Sequence, residues 1–379
     1  MQPAASIADL RKQAQHKLPK PVFDFIDGAG FEEATLRANC GDFEKFRFQQ
    51  RVARNIANRK LATELVGQEC SMPVAISPTG MSGILRGSKA EILAARAAHK
   101  AGVPFTLGMM SIASLDDVAA ALGSTEKLWF QLCPLKDRGV VQALVDRAKH
   151  HRCPVLIVTV TWPTASRTNR FIRNRTTSLP PKLTLSSLLE LARTPRWTLA
   201  SLLGGPIKLG NFEPIMQTAD LGTILGLLED EVDWSYIAWL REIWPGKLIL
   251  KGVMHPDDTR AAFDAGVDAV SVSNHGGNCL DQGQSTIAAL PGVVEAAEGR
   301  GEVLLDGGVR SGQDVLKAMA LGAKGCLLGR AHLFGLAADG EVGVSTALDI
   351  IRTEIDLSLA FTGVRSVDDV SRDMLVQAI

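Results

Sequence analysis

The sequence predicts an α/β protein built as a single (β/α)8 barrel, and three observations predict it. Eight short apolar runs recur along the 379 residues, most of them separated by an amphipathic helical stretch. The runs are hydrophobic throughout rather than alternating, as strands covered on both faces of a parallel sheet are. Polar residues and glycines follow the runs directly, at the strand ends where barrel enzymes place their chemistry. A doubly wound sheet would carry a Gly-x-Gly-x-x-Gly turn after its first strand, and none stands there. The expected architecture is a TIM barrel over residues 1–379, with an N-terminal helical extension and a long insertion after strand four.

In chain order, Ile7 to Asn39 reads as helical, and residues 1–70 as the N-terminal extension. The strand runs are then Pro73–Ser77, Pro104–Leu107, Leu128–Leu132 and Pro154–Val160, followed by Lys247–Lys251, Ala269–Val272, Glu302–Asp306 and Gly325–Leu328. Between Val160 and Lys247 lie more than eighty residues, including Pro180-Pro181, a leucine-rich stretch from Leu183 to Leu191, and Pro195-Arg196-Trp197. A connection of that length in a barrel is a lid or an interaction segment, which assigns those roles to residues 162–235. Leucine and tryptophan flanked by arginine over residues 180–212 also suit a peripheral contact with a membrane.

Composition removes several classes. Lys plus Arg and Asp plus Glu number 41 each, so no basic footprint for nucleic acid exists. The six cysteines, at 40, 70, 133, 153, 279 and 326, show no Cys-x-x-Cys spacing. That spacing predicts neither a disulfide framework nor a structural zinc site, and it fits a reducing cytoplasm. Met1 to Asp9 lacks the basic stretch and apolar core of a signal peptide, and no run reaches the eighteen apolar residues of a spanning helix.

The strand ends carry the chemistry. Pro78-Thr79-Gly80, Gly108-Met109, Gln131 with Cys133, and Thr159 with Thr161 end the first four strands. Lys251, then Ser273 with His275, then Asp306-Gly-Gly-Val-Arg310, then Gly329-Arg330 end the other four. The last two ends are where barrels commonly hold phosphate. Glycine lets backbone N–H groups approach it, a helix N-terminus adds partial positive charge, and Arg310 and Arg330 bring guanidinium donors. His275 sits on a glycine-softened turn beside these groups, which favours a chemical role over a structural one. Lys251 closes an apolar strand and points at the same mouth.

These motifs resemble the FMN-dependent 2-hydroxy-acid oxidase and dehydrogenase family, which includes glycolate oxidase, lactate oxidase, L-lactate dehydrogenase and mandelate dehydrogenase. The likeness runs from Leu18-Pro19 through Gly28 to Leu328-Gly-Arg330. It includes Ser77-Pro-Thr79, Trp129-Phe-Gln131-Leu, Leu250-Lys-Gly252, Ser273-Asn-His-Gly-Gly277 and Leu304-Leu-Asp-Gly-Gly-Val-Arg310. The resemblance implies FMN across the barrel mouth, with Thr79, Gln131, Thr159, Lys251 and Ser273 on the ring and ribityl part. Asp306, Gly308, Arg310, Gly329 and Arg330 would hold the ribityl and phosphate end. It further implies His275 as the catalytic base and Lys251 as the charge that stabilises reduced flavin. The acceptor would be oxygen or a quinone or other electron carrier, and the assembly a homotetramer, cytoplasmic or peripheral at the inner face of the membrane.

The substrate pocket departs from the family at four positions. Phe25 and Cys133 stand where tyrosines are expected, Thr161 where an aspartate would pair with the base, and Asn278 where an arginine would bind a carboxylate. The chain's single tyrosine, Tyr236, lies elsewhere, in a helical stretch before strand five. Losing the carboxylate beside His275 predicts a lowered imidazole pKa. Arg167 lies one residue short of the family's second substrate arginine, so a small backbone shift would let Arg167 or Arg170 take over in the pocket; the alternative is a substrate that is not a free 2-hydroxy carboxylate. The reading is oxidation of a CH–OH carbon in a 2-hydroxy-acid-like substrate with an atypical pocket. Two alternatives stay open: CH–NH2 oxidation, as in the similar branch of pre-mycofactocin synthase, or a flavin-binding protein that has lost dehydrogenase activity.

Overall fold

The structure, a computed structural model, describes residues 3–164, 166–174, 190–204, 207–216 and 220–377. All eight expected runs are strands: Val74–Ile76, Phe105–Gly108, Leu128–Leu132, Val155–Thr159, Lys247–Val253, Ala269–Val272, Glu302–Asp306 and Gly325–Leu328. They pair in parallel in that order, and the eighth returns to the first to close the barrel. Nearly every strand residue is buried, because the inner face packs on the barrel axis and the outer face on helices.

Side chains alternate along a strand, and this sorts the interior into layers. Ala75, Trp129, Ile157, Ile249, Leu304 and Leu327 form one apolar layer inside the barrel. Two residues further along the same strands stand Ser77, Gln131, Thr159, Lys251, Asp306 and Gly329. Thus one apolar plug supports one polar rim, and the rim is the floor of the barrel mouth. The opposite faces, among them Phe130, Val158, Leu250, Val270 and Leu305, pack against the surrounding helices.

The N-terminal extension is helical over Ile7–Lys17, Lys20–Asp27 and Ala34–Gly41. Pro19 separates the first two helices, and Ser6 caps the first by accepting from Asp9 N at 3.2 Å. From residue 42 onward the extension is a single 3₁₀ turn, Asp42–Lys45, followed by short strands. A hairpin, Thr63–Leu65 with Gln68–Cys70, inserts Leu65 and Val66 beneath Trp129 and Ile157, so tertiary packing at the base of the barrel overrides local preference. Phe46–Phe48 pairs antiparallel with Leu375–Gln377, joining the two ends of the chain.

Within the insertion the described helices are Asn169–Arg173, Pro195–Leu203 and Leu221–Gly226, with Trp234–Ile243 leading into strand five. Arg170 anchors the first of these across the mouth. It meets Asp24 at 3.1 Å, Asp27 at 2.8 Å and Glu33 at 2.6 Å. Tyr236 holds the far end, accepting from Leu135 N at 3.0 Å and donating to Leu135 O at 3.1 Å. Most of the Leu183 to Leu191 stretch falls outside the described residues. Helix Pro195–Leu203 exposes Leu199, Leu202 and Leu203, the last at 79%. Among the described residues no helix is long and apolar enough to cross a membrane.

Candidate active site at the barrel mouth

The polar rim opens into a cavity of about 380 Å³, within the range of small-molecule sites. A buried ion pair sits at its base. Lys251 Nζ lies 2.7 Å from Asp306 Oδ2 and donates to Ser273 Oγ at 3.0 Å. Asp306 also accepts from Ser273 Oγ at 2.7 Å and from Ser77 Oγ at 3.0 Å. Burial alone would raise the Asp306 carboxyl. The Lys251 ammonium and these hydrogen bonds outweigh it and hold Asp306 below its ordinary value. Gln131 extends the rim, donating to Thr159 Oγ1 at 3.1 Å and to Cys133 Sγ at 3.3 Å.

His275 rises from the sixth strand end on three successive left-handed residues, with φ of 56° at His275, 63° at Gly276 and 79° at Gly277. Gly276 and Gly277 cannot be replaced cheaply: a Cβ on Gly276 would stand 2.5 Å from Arg330, and one on Gly277 2.8 Å from Leu36 N. Asn274 braces the turn by exchanging amide hydrogen bonds with Asn39 at 2.8 and 2.9 Å. Thr161 Oγ1 lies 2.9 Å from His275 Nδ1, where the family's carboxylate was missing from the sequence. Burial, the Lys251 charge and Arg330 push the imidazole down to about 4, and Asp306 offsets only part of this. His275 is therefore neutral at physiological pH, and the causes are burial first and then the Lys251 and Arg330 charges.

The opposite end of the cavity is built for an anion. Gly329 caps the long helix Arg330–Thr362, and a Cβ placed on it meets nothing within 4 Å. The space above a helix N-terminus is thus open for a ligand. Arg310 and Arg330 repel one another there, and neither forms an ion pair among the described residues. Two uncompensated guanidiniums beside a helix N-terminus fit a phosphate. Gly308 serves a different purpose: a Cβ there would lie 2.0 Å from Asn39 O, so the glycine admits the N-terminal segment against the barrel.

Most of the expected site residues converge. Thr79, Gln131, Thr159, Lys251, His275, Asp306, Gly308, Arg310, Gly329 and Arg330 line the cavity, as do Phe25, Cys133 and Asn278. Ser273 lies just beneath, under Lys251, and Thr161 stands behind His275. Arg167 is not brought to the cavity. It is exposed and borders a separate hollow with Phe31, Leu280 and Asp281. Arg170 is taken up by its three carboxylates, so neither arginine replaces the missing one. Arg330 differs from expectation as well. Its guanidinium donates to Ile26 O and Gly276 O at 2.9 Å each, to Gly28 O, and to Asn278 Oδ1 at 3.3 Å.

The walls contain residues that no motif announced: Trp162, Phe171, Leu221 and Leu225 from the insertion, with Met81 and Met110. Phe171 stacks on Phe25 with ring centroids 6.2 Å apart, and Trp162 lies 6.2 Å from the His275 ring. The only sequence signal for the four insertion residues was the length of the insertion itself.

A model of the family described as FMN-dependent dehydrogenase matches residues 14–377. The chain is 38% identical to an L-lactate dehydrogenase of Pseudomonas syringae pv. syringae (strain B728a), over 99% of each protein. It is 39% identical to an L-lactate dehydrogenase of Caulobacter sp. (strain K31), over 98% of each. Among solved structures, a monotopic membrane protein, (S)-mandelate dehydrogenase, superposes with a TM-score of 0.94 at 34% identity, over the full length of both chains. Fold, cavity and comparisons agree, and the chain belongs to the FMN-dependent dehydrogenase family, whose oxidoreductase chemistry on 2-hydroxy acids uses FMN.

Proposed function

We propose that this protein oxidises a CH–OH carbon of a 2-hydroxy-acid-like substrate in the barrel mouth, with His275 as the base. The observation that supports it is a neutral imidazole at the cavity, held through Nδ1 by Thr161 at 2.9 Å. In the tautomer in which Nδ1–H donates to Thr161 Oγ1, Nε2 keeps its lone pair for the substrate hydroxyl. The FMN phosphate would be held by Arg310 and the helix N-terminus at Gly329, with Arg330 beside them adding its charge and its one uncommitted donor, and the ring and ribityl part by Thr79, Gln131, Thr159, Lys251, Ser273 and Asp306. Bound there, FMN would supply the acceptor for a hydride equivalent from the substrate carbon. His275 takes the hydroxyl proton and returns it to solvent, leaving a C=O product. Lys251 places a fixed positive charge where negative charge develops, at no reorganisation cost because Asp306 and Ser273 already hold it.

Anaerobic mixing of the FMN-bound protein with hydroxy acids, hydroxy amides, hydroxy esters and amines tests this reading. Bleaching of the flavin by a CH–OH compound supports it. A flavin that dithionite reduces but no CH–OH compound does would refute it, and bleaching by amines alone would move the reaction to CH–NH2.

The reading includes a peripheral membrane contact through helix Pro195–Leu203. Leu202 is 76% exposed and Leu203 79% at its C-terminal end, with Ile207 at 59% just beyond, and Arg193 and Arg196 are exposed at its N-terminal end. Apolar side chains flanked by cations suit the interface of an anionic bilayer. Electrons would then pass to a quinone or another carrier, and the assembly would be a homotetramer, which light scattering of the purified protein checks.

A further inference from the structure

We infer that Asn278 reads a neutral carbonyl beside the reacting carbon, so that the substrate is a 2-hydroxy amide or ester and not a free 2-hydroxy carboxylate. This rests on the CH–OH oxidation proposed above and names its substrate class.

The argument starts from Arg330. A guanidinium has five N–H donors and no acceptor. Four are committed: to Ile26 O, Gly276 O, Gly28 O and Asn278 Oδ1. One donor is left, which cannot make the two parallel bonds by which arginine clasps a carboxylate. The other cations near His275 are equally spent. Lys251 is paired with Asp306 and Ser273. Arg170 is held by Asp24, Asp27 and Glu33, and Arg167 lies outside the cavity. Arg310 stands at the phosphate end, stacked over Phe334. Among the described residues, no cation is available to compensate a desolvated carboxylate next to His275.

Arg330 also fixes which edge of Asn278 the ligand meets. Because arginine only donates, Asn278 must turn its oxygen toward it, and the amide NH2 is left for the cavity that Asn278 lines. An uncharged NH2 donor matches an uncharged carbonyl acceptor. The neighbouring thiols, Cys133 and Cys279, are each pushed up to about 11 by burial and stay uncharged. Phe25, Trp162, Phe171 and Leu225 complete a wall that favours an aromatic or branched apolar substituent. A carboxylate placed here would lose its hydration and gain only neutral donors, whereas an amide or ester carbonyl loses far less.

The test uses the FMN-bound protein and a matched pair, mandelamide and mandelate. Anaerobic stopped-flow absorbance gives the rate of flavin reduction, and the non-reducible 2-oxo analogues, benzoylformamide and benzoylformate, give binding from the perturbed flavin spectrum. The amide is expected to exceed the acid by at least about tenfold in both readouts. Asn278→Leu should cost the amide about tenfold and the acid less, so that the preference narrows, and Asn278→Arg should reverse the preference. Should Asn278→Arg fail to fold, Asn278→Leu carries the test. A parent protein that binds and oxidises mandelate as well as mandelamide overturns the inference while the CH–OH reading stands. Preferential binding of the 2-oxo amide without reduction by either hydroxy compound overturns the CH–OH reading and leaves the selectivity of Asn278 in place. Failure of both analogues to bind overturns both.

Discussion

Replacing Thr161 by aspartate should return a titration to His275 that burial has removed. In the parent the imidazole is pushed down to about 4, with only a hydroxyl at 2.9 Å from Nδ1. A carboxylate at that position would lie roughly 4 Å from the ring charge, where attraction is worth about 4 kcal/mol at an effective dielectric of about 20. At 1.36 kcal/mol per unit this is about three units, and about two after the buried aspartate's own desolvation is subtracted. The variant's imidazole should therefore titrate near about 6. The base works only when neutral, so rate is lost as pH falls through this pKa. The acid limb of the flavin-reduction rate should lie near about 4 in the parent and about two units higher in Thr161→Asp, so that at pH 5 the variant loses about tenfold where the parent loses little. Above pH 8 both are neutral, and the limb no longer separates them. Thr161→Val serves as control: it should slow reduction without moving the limb. A parent limb already near 6.5, or no movement in Thr161→Asp, would refute the assignment of His275 as base and Thr161 as its partner.

Four further outcomes follow from the same geometry. His275→Ala should slow substrate reduction of the flavin by about 10²–10⁴-fold while FMN content and dithionite reduction stay unchanged, measured anaerobically. Lys251→Met leaves Asp306 buried without its cation, which should cost about 3–5 kcal/mol in urea unfolding at pH 7. The Asp306 carboxyl is held below its ordinary value in the parent, so the stability it contributes is present above the unfolded carboxyl pKa. That stability is lost as pH falls through the folded value, and the gap between parent and variant should narrow there. FMN at a hundred times its Kd should stabilise the parent by about 2.7 kcal/mol in thermal melts, and Arg310→Met should remove much of that gain by weakening the phosphate end. Leu199, Leu202 and Leu203 changed together to serine should abolish flotation with anionic liposomes and leave flavin reduction in detergent intact; equal flotation would remove the membrane contact.

The barrel was legible because its strands are buried on both faces and say so in uninterrupted apolar runs such as Val155–Thr159. The rim was legible for a related reason: the period of two places Gln131, Thr159, Lys251 and Asp306 one step above Trp129, Ile157, Ile249 and Leu304. What the sequence withheld depends on contacts between distant segments. Arg330 looked like a phosphate ligand because arginine after a glycine at a strand end suits an anion; nothing local reveals that Ile26, Gly28 and Gly276 turn their carbonyls toward it. Arg167 looked one residue from a useful place, yet its neighbours Ser166 and Thr168 line the cavity while its own side chain faces outward. The strands at Thr63–Leu65 and Gln68–Cys70 were missed because three-residue segments carry too little pattern, and their shape is dictated by the barrel base they fill.

The strut formed by Arg330 has a consequence for how the protein comes into being. Its bonds to Ile26 and Gly28 span 304 and 302 positions of the chain. The turn bearing His275 is therefore fastened to a segment synthesised near the start by a side chain synthesised near the end. Contacts of such separation form late, after most loop entropy has been spent. Until Arg330 has left the ribosome, neither the carbonyl cluster nor the anion end beside Gly329 exists, and a growing chain has no complete flavin cradle. Cofactor capture is in this sense a checkpoint on the chain from Ile26 to Arg330, which a barrel lacking either of those segments fails to pass.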